Sequence, residues 1–305
     1  LGREEGSGGT NRPSAHAQGL VYCEKQTKTG AQIPLKILVT NDDGVHSRGL
    51  WSLVEALKDV GEVSVVAPDR NMSGIGTALT LLAPLRVQEV ASPIDGVQAL
   101  SVQGTPSDCV ILATRSLFGD PFDLLVSGIN EGANMGLDVL GSGTVGGALR
   151  GYFHNIPSIA ISAEYSRETE VRYEAAARTA QALARSLSDS SFKGPLLLNV
   201  NLPNVEPDRI ERVEVTRLGS IAYLASVERV QEERGTHYWV RLNRPALDLS
   251  AEGTDIRAVR NGSISITPMD LGLAESLPPQ IVKELAHEVR SAMGLDSITQ
   301  PRRTQ

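Results

Sequence analysis

Cysteine is scarce in this chain: Cys23 and Cys109 are the only two in 305 residues. They form no CxxC and no zinc-ligand spacing, which excludes a disulfide scaffold and a cysteine-built metal site. A bond between the two is not expected. Long apolar runs are also missing. Nothing approaches the 18 or so residues of a membrane-spanning helix, so no membrane partner is expected. Positive charge is in deficit, with 29 Lys and Arg against 36 Asp and Glu and a net charge of −7. Binding to a nucleic-acid duplex through a basic face is thereby excluded. An anionic small substrate is not, because a bound metal reverses the local sign. A Walker A loop is absent. The nucleophile elbow of serine hydrolases is absent too, since Ser127 has Leu125, not glycine, two residues before it.

What is present is an ordinary globular composition, 41% apolar and 21% charged, enough for one large α/β domain with an appendage. Residues 1–33 are rich in Gly, Ser, Thr, Gln and charge. Lacking an apolar stretch, they do not read as a secretory signal. They are expected to be a disordered extension or a misassigned start, and the protein to be cytoplasmic. From 34 to 205 short continuous apolar runs alternate with helical patterns. Strands are expected at 35–40, 62–67, 98–102, 123–127, 157–162 and 196–200, and helices at 48–59, 106–117, 143–153 and 168–187. Continuous runs suit parallel strands covered on both faces. The fold class predicted is a Rossmann-like, doubly wound, mostly parallel sheet. Helix 106–117 has a capping residue in Thr105, a proline at its first position and Asp108 in its first turn. Cys109 falls on that helix's apolar face as a buried thiol. Beyond 205 the texture becomes more polar. Segments 211–217, 221–228 and 236–242 alternate like hairpin strands, 279–293 reads as a final helix, and 297–305 as a polar tail. Together 206–296 are expected to form an extended C-terminal hairpin and helix arm suited to subunit contacts.

The chemistry begins where the first strand ends. Asp42 and Asp43 are adjacent there and followed by Gly44. Ligands of open α/β sheets bind at the carboxyl ends of strands. Two like charges about 4 Å apart repel by about 1 kcal/mol in water and about 4 kcal/mol near a protein surface. A divalent cation relieves this; so does a turn with a solvated second aspartate. Three further loops follow, 67–76, 127–136 and 141–147, all rich in Gly, Ser, Thr and Asn. Such loops bring backbone N–H groups and hydroxyls to a ligand, and a helix start favours an anion. Gly141, Gly143 and Gly146 match the dinucleotide fingerprint, but no strand runs straight into them, so an NAD-dependent oxidoreductase is disfavoured. Phosphate held by Ser142, Thr144 and the helix start is the better use of those glycines. Of five histidines, only His46 lies near the aspartate pair; it reads as a structural or solvated residue before a substrate contact.

These residues are similar to those of the SurE survival-protein family. The resemblance rests on Asn41-Asp42-Asp43-Gly44, Ala67-Pro68 with Ser73-Gly74, Gly104-Thr105-Pro106-x-Asp108-Cys109-Val110, Val126-Ser127-Gly128-Ile129-Asn130-x-Gly132-x-Asn134-x-Gly136, Ser142-Gly143-Thr144-Val145, and a downstream string from Thr254-Asp255 to Pro268. It spans roughly 34–270. It implies a metal-dependent phosphomonoesterase hydrolysing nucleoside 5′-monophosphates, with 3′-nucleotides and polyphosphate as open further substrates. It implies one divalent cation held by Asp42, Asp43, Ser73 and Asn130, with Asp42 and Asp43 catalytic. Phosphate contacts are implied at Asn134, Ser142, Gly143 and Thr144, and a homodimer or homotetramer is implied. An all-oxygen set suits Mg²⁺ or Mn²⁺ over zinc. The chain departs from the family at Ser47-Arg48-Gly49, where Ala-Pro-Gly is usual, and at Ser263, where an aromatic is usual. The alternative from another class is a non-catalytic nucleotide- or metal-binding regulator on the same fold.

Overall fold

A computed structural model describes residues 34–166, 168–189, 195–220, 224–232, 235–243 and 251–269. The expected extension 1–33, Cys23, the final helix 279–293 and the tail 297–305 lie outside these residues. The elements run β1 (Leu35–Thr40), α1 (Arg48–Leu57), β2 (Gly61–Pro68), β3 (Val87–Glu89), β4 (Gln98–Val102), α2 (Pro106–Leu112), β5 (Leu124–Glu131), α3 (Gly143–Phe153), β6 (Ser158–Ala163), α4 (Glu174–Asp189), β7 (Leu197–Leu202), β8 (Val213–Val215), β9 (Leu224–Glu232), β10 (Gly235–Asn243), α5 (Asp255–Arg260) and β11 (Ile264–Pro268).

Nine strands form one sheet in the order β3-β4-β2-β1-β5-β6-β7-β11-β8. The central six pair in parallel. β3 runs antiparallel at one edge, and β11 antiparallel to β7 at the other. Helices cover both faces, as continuous apolar strands require. Ile37, Val39, Val65, Val126 and Ile161 pack under α1 and α4. Their strand neighbours Leu38, Val66 and Leu125 pack under α2 and α3 with Cys109 and Val110. Each such side chain taken wholly from water contributes about 1.5–3 kcal/mol.

Helix starts follow their caps. Thr105 and Asp108 form a reciprocal capping box, with Asp108 N donating to Thr105 Oγ1 at 3.1 Å and Thr105 N to Asp108 Oδ2 at 2.9 Å. Helix α2 passes into a π-helical turn at Ala113–Leu117. Cys109 is fully buried as a free thiol, and burial pushes its pKa well up. Helix α4 begins at Glu174, six residues later than expected, because the preceding main chain bonds elsewhere. Arg172 N donates to Asn204 Oδ1 at 3.0 Å and Asn204 Nδ2 to Glu170 O at 3.2 Å.

The C-terminal part corrects two expectations. Residues 211–217 are not a hairpin strand: β8 lies at the edge of the main sheet, parallel to β11. Among the described residues the hairpin is β9 with β10, paired from Leu224↔Asn243 to Glu232↔Gly235; 221–223 of the expected strand 221–228 lie outside them. Helix α5 and strand β11 were not anticipated. Thr254, whose side chain accepts from Arg257 N, caps α5, and Gly262 at φ 79° ends the turn after it.

Candidate active site

From β1 the chain winds toward β2 and β4; after β5 it winds the other way, toward β6 and β7. The reversal opens a crevice at the carboxyl ends of β1 and β5, where ligands of such sheets bind. Asp42 and Asp43 follow β1, Asn130 ends β5, and Ser142 caps α3 above them.

Asp42 is buried, and the start of α3 is built onto it. Thr144 Oγ1 donates a short hydrogen bond to Asp42 Oδ1, and the N–H groups of Gly143 and Thr144 face the same carboxylate. Burial raises its pKa; these donors oppose the rise. A Cβ on Gly143 would stand 2.7 Å from Asp42 Cβ and 2.8 Å from its Oδ2. One on Gly146 would stand 2.3 Å from Gly76 O. Close packing, not dinucleotide binding, is therefore the use of these glycines. The element before them is a 3₁₀ turn, Gly136–Leu140.

Asp43 accepts from Glu131 N at 3.1 Å and faces Asn71 Nδ2 at 3.5 Å. Its pKa is pushed up to about 6, first by burial and then by the charge of Asp42. Arg48 and Arg70, the nearest arginines in the sequence, face Glu170 at 3.1 Å and Asp69 at 4.0 Å instead. Among the described residues no cation forms an ion pair with either aspartate.

The other expected ligands arrive on tethered loops. Met72 N donates to Asp42 O at 2.7 Å, which ties the loop carrying Ser73 to the end of β1, with Ser73 itself exposed. Asn130 Nδ2 donates to Gly132 O at 2.6 Å, leaving Oδ1 as its free acceptor. β5 slips register with β6 between Ser127 and Asn130. Gly128 makes the slip feasible: it sits at φ 142°, with Ile161 O 2.3 Å from where a Cβ would lie. No three His, Cys, Asp or Glu side chains cluster as a metal site among the described residues. The donors expected from the sequence are instead two carboxylates, a hydroxyl and an amide oxygen, a set that would suit a hard cation.

Asn134 stands over β6 and β7, and Ser142 Oγ accepts from Val145 N at 3.1 Å as the cap of α3. Thr144 gives its hydroxyl proton to Asp42, so it supports the aspartate before any phosphate. His46 is exposed and lies outside the cavity beside Asp43. That cavity, about 310 Å³, is lined by Ser47, Arg48, Glu131, Val171 and Tyr173 among others. Tyr173 Oη donates to Glu131 Oε2 at 3.3 Å, and burial raises its pKa.

Sequence reasoning missed several supporting residues. Asp255 is fully buried and accepts from Gly136 N and Gly219 N, both at 2.8 Å. Asn199 and Asn201 hold Asn134 from β7. The last two carried a signal: two amides at period two inside an apolar strand.

A family model described as survival protein SurE matches residues 37–224. A protein of Dehalococcoides mccartyi named 5′-nucleotidase SurE is 44% identical over 266 residues, covering 87% of this chain and all of the relative. A 5′-nucleotidase SurE of Vibrio parahaemolyticus is 43% identical, covering 80% and 92%. The crystal structure of a SurE protein from Aquifex aeolicus superposes with a TM-score of 0.69 at 39% identity, covering 82% of this chain and 99% of that one. The chain belongs to the survival protein SurE family.

Proposed function

We infer that this protein is a metal-dependent 5′-nucleotidase, releasing nucleoside and phosphate from nucleoside 5′-monophosphates. The observation that carries the reading is the Asp42–Asp43 pair, the first buried and the second half-buried, with no cation partner among the described residues, at the crevice of a sheet whose relatives are named 5′-nucleotidases. Asp42, Asp43, Ser73 and Asn130 would hold one divalent ion, Mg²⁺ or Mn²⁺. When bound, such an ion neutralises phosphate, acidifies a water and stabilises transition-state charge. Asp42 is buried against the α3 donors and Asp43 is the less buried of the two, so Asp43 is the carboxylate that would orient the attacking water and take its proton. Asn134 and Ser142 donate to the phosphoryl oxygens, and Thr144 keeps Asp42 in place.

Purified protein with Mn²⁺ is expected to release phosphate from AMP and GMP, and EDTA to stop it. Nucleotide binding with no phosphate release would instead identify a non-catalytic regulator.

The two hydroxyls at the α3 start are separable. Ser142→Ala is expected to raise the inhibition constant of inorganic phosphate about tenfold and to lose about 1 kcal/mol of capping, with metal affinity retained. Thr144→Val removes the hydroxyl held by Asp42 and is expected to weaken metal binding as well as turnover. Metal titration by calorimetry on both variants checks the division; equal metal loss in both would refute it.

The hairpin is an assembly element in this reading. Val227 is 65% exposed, Trp239 55% and Val240 68%, and a lone hairpin is marginally stable in water. A second copy of the chain is the covering surface, giving a dimer or tetramer. Replacing 224–243 by a short Gly–Ser linker is expected to reduce the oligomer and lower the melting temperature. A stable, active monomer by light scattering would show otherwise.

A further inference from the structure

Asn199 and Asn201 lie in β7, an interior strand buried along its whole length, where Val, Ile or Leu is the rule. Both are fully buried. A buried amide without a partner costs about 1–3 kcal/mol. These two spend their hydrogen bonds on the main chain of one residue. Asn201 Oδ1 accepts from Asn134 N at 2.8 Å, and its Nδ2 donates to Asn134 O at 2.9 Å. Asn199 Nδ2 donates to the same oxygen at 2.8 Å. Asn199 Oδ1 makes no hydrogen bond among the described residues, so its donor alone is used.

An amide side chain carries the N–H and C=O of a peptide group. Asn201 therefore binds Asn134 as a neighbouring strand would, fixing the peptide planes on both sides of its Cα. Fixing both planes fixes the direction of Cβ. Ser162 Oγ, fully buried on β6, then accepts from Asn134 Nδ2 at 2.9 Å. A carboxamide nitrogen has two hydrogens, so one N–H is anchored and the other is presented in a set direction.

We propose that Asn199, Asn201 and Ser162 are positioning residues for phosphate, acting through Asn134. The proposal rests on the assignment of Asn134 as a phosphate contact. None of the three touches substrate. Their work is to hold one amide N–H aimed before phosphate arrives, so that binding pays no ordering cost there.

The test uses the full chain with Mn²⁺, AMP as substrate and inorganic phosphate as inhibitor. Variants are Asn134→Ala, Ser162→Ala, Asn201→Ala and the doubles with Asn134→Ala. Ser162→Ala and Asn201→Ala are each expected to raise the phosphate inhibition constant about tenfold, with the metal-induced rise in melting temperature intact. Each double is expected to be no worse than Asn134→Ala alone, since both changes remove one contact. Should Asn201→Ala fail to fold, Ser162→Ala, a nearly isosteric change, carries the test. Effects that multiply in the doubles overturn the proposal. So does a lowered melting temperature with phosphate affinity unchanged, which is a purely structural role. If Asn134→Ala weakens phosphate and the other two do not, the clamp fails and the Asn134 assignment stands. If Asn134→Ala itself leaves phosphate affinity at wild type, the assignment fails and the clamp with it.

Discussion

Asp43→Asn is expected to abolish phosphate release and, in metal-free buffer, to raise the melting temperature by several degrees. The two effects share one cause. Asp43 has a folded-state pKa of about 6 against an ordinary 3.8, from burial and from the charge of Asp42. The folded protein thus holds a proton between these values that the unfolded chain has released. Stability falls as pH rises through that window, and above it the ionised carboxylate costs about 3 kcal/mol. An amide removes that cost. The gain should be complete above about pH 6 and vanish below the unfolded pKa. Metal reverses the order. A ligand at a hundredfold excess over its dissociation constant stabilises the state it binds by about 2.7 kcal/mol, and only the wild type has the site. Asp42→Asn should behave alike in activity. Melting curves with EDTA and with Mn²⁺, across pH 4–8, check the argument. Near-wild-type turnover of either variant at saturating Mn²⁺ would place the metal elsewhere.

Much of this was legible before the structure. The continuous runs in 35–40 and 123–127 read as strands buried on both faces, though β5 continues to Glu131 through residues expected to be loop, and Thr105-Pro106-x-Asp108 marked the α2 start through its own capping chemistry. The aspartate pair stood out because its repulsion demands an explanation. Three short elements escaped: β3 and β11 have three and five residues and α5 has six, too few for periodicity to speak. β8 and the hairpin strands also alternate alike, so sequence could not separate an edge strand of the main sheet from an arm. Asn199 and Asn201 sat in plain view inside a strand, but their partner, Asn134, is 65 residues away from the first of them. Only the register of β6 and β7 brings them together. Thr144 shows the opposite limit: a hydroxyl in a phosphate-like loop whose proton goes to a carboxylate.

Gly143→Ala separates site geometry from helix stability. Alanine at the first position of a helix is intrinsically better than glycine by up to about 1 kcal/mol, so on local grounds the change should help α3. The neighbours say otherwise. The new methyl would meet Asp42 Cβ at 2.7 Å, its Oδ2 at 2.8 Å and Ile75 Cγ2 at 3.0 Å. The first two lie below any distance real Cβ atoms adopt, so Asp42 must swing off Thr144 or α3 must lift from β1. Either motion breaks the carboxylate's seat. Turnover is expected to fall about a hundredfold, because a displacement near 1 Å costs that much, and the Mn²⁺-induced rise in melting temperature should disappear. Gly146→Ala, one turn further on, is the control. Its methyl would meet the main chain, Gly76 O at 2.3 Å, which strains the fold and not the aspartate. That variant should lose about 1–3 kcal/mol of stability while the protein that remains folded still responds to Mn²⁺. If Gly143→Ala keeps wild-type turnover, Asp42 does not need its place against the start of α3, and the helix is packing rather than part of the site.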